Sequence, residues 1–161
     1  ACHVLSHISP DFKRYSWFDR GSDERQYCAP GVDLPMASIM RTKYGEYPEY
    51  HTSLDNLEDV VTPEGLYGGY EAIRRSLELI ENNYTYISTV KGEPQMGRRG
   101  LYPNVSQKGS ADTVKLMMDF LSCCDGNLSV LDTAELSNVP AWNLYDIIEI
   151  LKKHKLIEAV N

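Results

Sequence analysis

The sequence predicts a mixed α/β fold: a layer of strands and helices in its first part, followed by a small winged helix-turn-helix domain. Three patterns predict it. They are a short apolar run after a Pro-Gly turn, a long amphipathic helical pattern, and three short helical patterns before a final apolar stretch. A segment rich in Gly and Pro lies between the two parts. We therefore expect residues 1–90 to form the α/β part, residues 91–109 a connector and residues 110–161 the winged helix, with the boundary near Gly109.

Length and composition are those of a chain that folds. With 161 residues and 42% hydrophobic content, it can form one ordinary domain or two small ones. The formal net charge of −7 argues against binding by neutralisation of phosphates, so nucleic acid is not the expected partner. No apolar run approaches the length of a membrane-spanning helix, so we expect no membrane insertion. The four cysteines lack paired spacing, which favours reduced thiols and a cytoplasmic protein.

Two strands and a long helix are expected in the first part. Residues 33–41 predict a buried strand, and residues 15–18 predict an earlier one. Thr62, Pro63 and Glu64 supply an N-cap, a first-turn proline and an acid near the positive end of the helix dipole. Apolar residues then recur at alternating spacings of four and three: Leu66, Tyr70, Ile73, Leu77, Ile80 and Tyr84. This spacing predicts an amphipathic helix that covers the sheet.

Three helices and a terminal strand are expected in the second part. The first helix begins near Ser110, the second follows a capping box at Ser129 and Asp132, and the third begins at Pro140. The predicted buried face of the third helix is Leu144, Ile147, Ile148 and Leu151. Residues 156–160 predict the strand, which completes a winged helix.

Charge in the second part indicates what it contacts. Residues 110–161 contain four Lys, no Arg, five Asp and three Glu. The predicted recognition helix offers little to a phosphate backbone and no arginine for guanine. Protein contact or dimer formation is therefore the better expectation for this part.

His51 is the histidine in a setting typical of a metal ligand. It follows a loop rich in Tyr and Pro and precedes Thr52 and Asp55, whose side chains can orient an imidazole. Zinc in proteins takes about four donors, one of them water at catalytic sites. The alternative, which spacing alone favours, is a surface histidine packed among tyrosines, namely Tyr44, Tyr47 and Tyr50.

Asp23 and Glu24 are adjacent carboxylates that follow Gly21. They predict a substrate-binding or acid–base role, a metal contact, or a loop that is held by Asp23 with Arg25 and capped by Glu24. Adjacent side chains rarely face one point, so these interpretations stay open.

Together these segments resemble a known family. Residues 21–31, Arg41 and residues 44–55 are similar to bacterial aminopeptidase-like proteins of polysaccharide-biosynthesis loci, within the zinc aminopeptidase and glutaminyl cyclase superfamily. Residues 92–103 and the predicted winged helix resemble the same family, so the resemblance covers nearly the whole chain. It implies the C-terminal half of a zinc-aminopeptidase-like α/β sandwich, in a protein that often holds two zinc ions.

The resemblance also implies roles for individual residues. His51 matches the last zinc ligand, and Asp55 then orients that ligand or fixes its loop. The implied substrate-binding residues are Asp23, Glu24, Arg25, Gln26, Tyr27 and Tyr50. Glu24 stands where many relatives carry a histidine, so this chain departs from the family pattern at that position. The other ligands and the catalytic base lie upstream in the family, so no catalytic residue is expected in this chain.

The activity that this implies is hydrolysis of a peptide or amide bond by metal-bound water, linked to surface polysaccharide biosynthesis. We expect this chain alone neither to bind zinc tightly nor to turn over. The alternative is a noncatalytic protein that uses the winged helix for protein contact, and a DNA-binding regulator is a weaker one. Expected partners are a peptide or amide substrate, the missing N-terminal half and a second copy of the chain, since a half sandwich leaves apolar surface uncovered.

Overall fold

The computed structural model describes residues 1–101 and 110–160, and of Ser110 and Ala111 it describes the backbone alone. The chain divides into two compact units, Ala1–Ser76 and Leu77–Asn161. The division, between Ser76 and Leu77, falls within a single long helix.

The first unit consists of helices joined by turns. Its elements are α1 (Cys2–Ile8), a 3₁₀ helix (Trp17–Asp19), α2 (Ser22–Tyr27) and the first part of α3 (Pro63–Asn82). Residues 1–76 are all described and contain no strand. The α/β layer predicted for this part is therefore not formed by these residues themselves.

Both strands predicted in the first unit are wrong. Residues 33–40 have no regular structure, because a strand is held by hydrogen bonds to a neighbouring strand and residues 1–76 provide none. Residues 15–18 run into the 3₁₀ helix instead. There the Asp19 carboxylate accepts hydrogen bonds from the backbone N–H and the hydroxyl of Ser16, which closes a tight turn.

Helix α3 begins where the sequence predicts. The Thr62 hydroxyl oxygen accepts a hydrogen bond from the N–H of Gly65 at 3.0 Å, which satisfies one of the free donors of the first turn. Further along, Glu71 forms ion pairs with Arg74 and Arg75, three and four residues later. The capping signal and the helical periodicity were therefore sufficient to place this helix.

The prediction that the apolar face of α3 covers a sheet is wrong for the described residues. The buried side chains of α3 are Ala72, Ser76 and Leu79. The predicted face lies about 110° around the helix from them. Its residues are between 48% and 70% exposed: Leu66, Tyr70, Ile73, Leu77, Ile80 and, just beyond the helix, Tyr84. Periodicity identifies the apolar side of a helix, but it does not say which polypeptide covers that side.

The second unit contains a three-stranded antiparallel sheet in the order β2-β1-β3. Its strands are β1 (Thr85–Ser88), β2 (Asp125–Ser129) and β3 (Ile157–Ala159). The pairing of β1 with β2 shifts register between Thr85 and Ile87. Gly126 lies beside this shift with a φ of 88°, a conformation that glycine adopts without strain.

Three helices pack with this sheet, as predicted. They are α4 (Ser110–Ser122), α5 (Val130–Ser137) and α6 (Trp142–Lys153). The predicted buried face of α6 is confirmed, since Leu144, Ile147, Ile148 and Leu151 are all buried. The capping box of α5 is also confirmed: the Asp132 carboxylate accepts from the N–H of Ser129 at 2.8 Å, and the Ser129 hydroxyl oxygen accepts from the N–H of Asp132.

The predicted domain boundary near Gly109 falls on residues 102–109, which lie outside the described residues. Strand β1 precedes the predicted connector, yet it pairs with two strands that follow it. The second unit therefore includes residues that the sequence pattern alone assigned to the first part.

The described helices include none that combines the length and the apolar character needed to cross a bilayer. All four cysteines are free thiols, as their spacing predicted. Burial raises the pKa of Cys124 to about 12, which keeps this thiol protonated.

Candidate functional site

Glu24 anchors the first of the two predicted site segments. It lies in α2 and is only 8% exposed. Its Oε1 accepts hydrogen bonds from the N–H of Gly21 and from the hydroxyl of Tyr44, both at 3.0 Å. Its Oε2 accepts from the hydroxyl of Ser38 at 3.1 Å. A buried carboxylate with three donors is satisfied, so Glu24 joins α2 to two later segments of the chain.

These contacts also determine the charge of Glu24. The hydrogen bond from the N–H of Gly21 lowers the pKa of the carboxyl, with smaller contributions from Tyr44 and Ser38, while desolvation opposes them. The ionised form is therefore the one that the fold stabilises. A negative group held in this way suits a structural anchor better than a proton-transferring acid.

Tyr44 makes the closest approach in this segment. A Cβ atom added to Gly21 would lie 2.6 Å from the Tyr44 hydroxyl oxygen, so the Tyr44 ring needs the absence of a side chain there. The Tyr44 ring also contacts the ring of Tyr50, with ring centroids 6.3 Å apart and tilted by 37°. Tyr44 therefore connects the α2 segment to the loop that carries His51.

His51 projects from a series of tight turns. The N–H of Thr52 donates to the carbonyl of Glu49 at 3.0 Å, and His51 itself has a φ of 61°. A residue other than glycine in this left-handed region stores strain, and such residues concentrate at functional sites. The imidazole is exposed and stacks on the ring of Tyr50, with centroids 4.0 Å apart and an angle of 17° between the planes. The stacking orients the ring without burying it.

Asp55 stabilises the same loop through a tyrosine. Its Oδ2 accepts a hydrogen bond from the hydroxyl of Tyr47 at 2.9 Å, and this bond raises the pKa of Tyr47. Tyr47 in turn packs edge-to-face on Tyr50, with centroids 5.6 Å apart. Asp55 therefore contacts His51 only indirectly, through the rings of Tyr47 and Tyr50.

Two cavities lie in the first unit near this loop. One of about 530 Å³ is lined in part by Tyr47, Glu49 and Asp55. A larger one of about 850 Å³ is lined in part by Tyr15, Lys43 and Glu46. Neither lining includes His51, Tyr50 or any residue of α2, so the larger cavity is not where the predicted chemistry lies.

The donor set can be tested against the zinc ion that the resemblance implies. Among the described residues, no three side chains of His, Cys, Asp or Glu form a group that holds a metal ion. His51 fits zinc as a single donor, because its ring is exposed and its orientation is supported. A complete zinc site needs about three more donors. The described residues place no such set of donors beside His51.

The structure thus links the two predicted segments by a chain of contacts from Glu24 through Tyr44 and Tyr50 to His51. The other residues of the predicted substrate set in α2 are exposed: Asp23, Arg25, Gln26 and Tyr27. Sequence reasoning missed Ser38 and Tyr44 as partners of Glu24. The signal was weak, because both lie at least 14 residues away along the chain.

Comparison with known proteins defines the family. Residues 1–83 match the family described as Domain of unknown function (DUF4910). The chain belongs to the DUF4910 family. Beyond the DUF4910 part, residues 84–159 match the family described as winged helix-turn-helix, which confirms the predicted fold of the second part and includes β1 in it.

A longer named relative and a longer solved chain, both from Clostridium acetobutylicum, are similar to this DUF4910 chain. One is named "Putative polysaccharide biosynthesis protein with aminopeptidase-like domain" and is 35% identical over 159 residues, which cover 98% of this chain and 36% of the relative. The other is the crystal structure of a "putative peptidase", with 33% identity and a TM-score of 0.79 over 98% of this chain and 34% of that one. The chain therefore spans about a third of the length of the relatives that it matches.

Proposed function

We propose that this chain is the C-terminal part of a zinc-dependent, aminopeptidase-like hydrolase that cleaves a peptide or amide bond in the biosynthesis of surface polysaccharide. The observation that carries the proposal is His51. It is an exposed imidazole on a strained residue, stacked on Tyr50 in a loop that Tyr44 and Glu24 connect to α2. The names of the relatives support the same class of activity. Free thiols favour a cytoplasmic protein.

Each residue has a defined part in this proposal. His51 supplies one nitrogen donor, and Asp55 holds the loop through Tyr47. The exposed side chains of α2, together with Tyr50, contact the substrate, while Glu24 holds α2 in place. Zinc, when bound, supplies Lewis-acid polarisation of a carbonyl and activation of water. The remaining donors and the proton-accepting group belong to polypeptide outside this chain.

The isolated chain is expected to bind no stoichiometric zinc and to hydrolyse no aminoacyl amide, because a single imidazole does not retain the ion. The bound zinc is measured by elemental analysis, after dialysis against excess zinc and removal of free metal. Hydrolysis is measured with an aminoacyl p-nitroanilide as the substrate. Clear turnover by the isolated chain would mean that the complete site lies within these 161 residues.

A longer protein gives the positive test. In a chimaera, this chain replaces the matched third of the relative with the aminopeptidase-like domain. We expect His51→Ala to lower the bound zinc and to reduce hydrolysis by about 10²-fold or more, a typical loss when one electrostatic contributor is removed. The control is His154→Ala, at the end of α6 in the second unit, which should leave the bound zinc and the rate of hydrolysis unchanged. An unchanged zinc content and rate in His51→Ala would remove His51 from the site.

A second role is favoured for the winged helix. The exposed side chains near the start and middle of α6 are Asn143, Asp146 and Glu149. Acidic groups on a recognition helix repel phosphate, so we propose that this domain contacts protein and not DNA. Titration of the chain with duplex DNA at low salt is expected to show no binding. Strong binding that weakens as salt rises would favour a DNA-binding regulator instead.

A further inference from the structure

Helix α3 presents an uncovered apolar surface, called here the α3 face: Leu66, Tyr70, Ile73, Leu77 and Ile80. Residues spaced by three and four lie one above another on a helix, so these side chains form a continuous row. The row runs along a helix of 20 residues, which is about 30 Å long. Contiguous apolar patches beyond a few hundred Å² mark surfaces that contact another molecule.

Leu66, Tyr70 and Ile73 of this row lie in the first unit, which buries few of its other apolar residues as well. Of the hydrophobic residues among 1–76, only Val4, Cys28 and Ala72 are buried. Several large ones besides the α3 face are more than half exposed: Trp17, Phe18, Val32, Leu34, Leu54 and Leu57. So small a core does not offset the conformational entropy lost by about 76 ordered residues. The unit therefore needs additional polypeptide to complete it.

The comparisons indicate which polypeptide this is. A second copy of the chain would bring the same first unit with the same small core. Dimerisation through α3 would therefore leave the exposed apolar residues outside the α3 face uncovered. The relatives align with 98% of this chain and carry about twice as much polypeptide again, since the matched part is 36% of one and 34% of the other. A partner of that size can cover both α3 and the exposed turns.

We propose that the α3 face is the surface on which the rest of the aminopeptidase-like domain packs, meaning polypeptide that corresponds to the part of the relatives outside the matched third. This inference rests on the proposed function, because the same polypeptide would carry the other zinc donors. According to this proposal, the three sides of α3 have different surroundings. Ala72, Ser76 and Leu79 pack within this chain, the α3 face packs on the added polypeptide, and half-buried Glu71 keeps its ion pairs with Arg74 and Arg75 along the helix.

Footprinting with a carbene reagent tests the proposal without metal or substrate. The isolated chain and the full chimaera described above are labelled in parallel, and labelling is measured residue by residue. We expect the α3 face to lose most of its labelling in the chimaera, and Leu136, which is 69% exposed on α5 of the second unit, to keep it. Labelling of the full-length relative at its aligned helix gives the same measurement if the chimaera does not fold.

A matched pair of variants tests the energetics. Leu77→Glu places a charge on the α3 face, and Leu136→Glu makes the same change at a comparably exposed leucine outside it. Burying the new charge is costly, so Leu77→Glu should expose the α3 face to label in the chimaera and raise its population of open states by about tenfold or more. Leu136→Glu should change neither the labelling of the α3 face nor the population of open states. In the isolated chain, both variants should have little effect on these two quantities.

Three results would overturn the proposal. They are full labelling of the α3 face in the chimaera and in the relative, equal effects of the two variants, or protection of the α3 face in the isolated chain that rises with its concentration. The last result would identify a second copy as the occupant. A protected α3 face in a protein that holds no zinc would support the packing and contradict the proposed function, so the two failures can be told apart.

Discussion

Replacing Phe120 with alanine is expected to lower the free energy of unfolding of the second unit by about 3–5 kcal/mol, the usual loss for a large aromatic residue in a core. Phe120 lies in α4 and is 2% exposed. Its ring packs edge-to-face on Tyr86 of β1, with centroids 6.1 Å apart. The truncation therefore removes both buried area and an aromatic contact between a helix and the central strand, and it leaves a cavity.

Urea unfolding followed by the fluorescence of Trp142 measures this effect, in a background where Trp17→Phe removes the signal of the first unit. Phe18→Ala is the matched control, because Phe18 is 90% exposed and its truncation should change stability by less than about 0.5 kcal/mol. Equal effects of the two truncations would mean that the helices and sheet of the second unit do not share the core described above.

Replacing Glu24 with alanine is expected to destabilise the segment around α2 by about 1.5–3 kcal/mol, since hydrogen bonds to a charged, buried group are lost. The N–H of Gly21 and the hydroxyls of Ser38 and Tyr44 would each lose their acceptor. Glu24→Gln keeps one oxygen acceptor and the side-chain shape, so its effect should be smaller. Protection of the amides of residues 21–28 from hydrogen exchange, measured in the chimaera in which the first unit is complete, gives the local free energy.

The effect of Glu24 depends on pH in a defined direction. The folded chain lowers the pKa of this carboxyl, chiefly through the hydrogen bond from Gly21. Its contribution is therefore complete above the unfolded pKa of about 4.3 and disappears as the pH falls through the lower folded value. Protection in the wild type should fall on acidification toward that of Glu24→Ala.

Asp23→Ala is the control for the Glu24 variants, because Asp23 is the adjacent carboxylate and is exposed. It should lose no more than a few tenths of a kcal/mol, as expected for an acid in the first turn of a helix. If Asp23→Ala and Glu24→Ala lowered protection equally, Glu24 would not be the anchor. A loop without that anchor would also lose the link through Tyr44 to the support of His51.

Local signals were enough to predict most of the second unit. The capping box at Ser129 places the start of α5, and the apolar spacing of α6 identifies four residues that are all buried. Both depend on contacts within a few residues of the chain, or on one helix face meeting a nearby core. The sheet was harder to predict, because β1 pairs with strands about 40 and 70 residues later in the sequence.

In the first unit the same reasoning placed the start of α3, but it failed for both predicted strands and for the surroundings of the α3 face. The start of α3 was predicted from Thr62 and Pro63, yet the face expected to be buried is exposed. The strand expected at residues 33–41 is absent because no neighbouring strand is available within residues 1–76. A strand and a helix face both require partners, and no local pattern shows whether the partner belongs to the same stretch of chain.

The sequence by itself determined helices α3 to α6, the caps of α3 and α5 and the acidic character of the second part. Tertiary structure decided that Glu24 is an anchor, that Tyr44 connects it to the loop of His51, and that the α3 face is uncovered. The physical reason is the separation along the chain of the residues that interact. Capping and periodicity arise from interactions within about one or two helical turns, whereas burial and coordination depend on residues that only folding brings together.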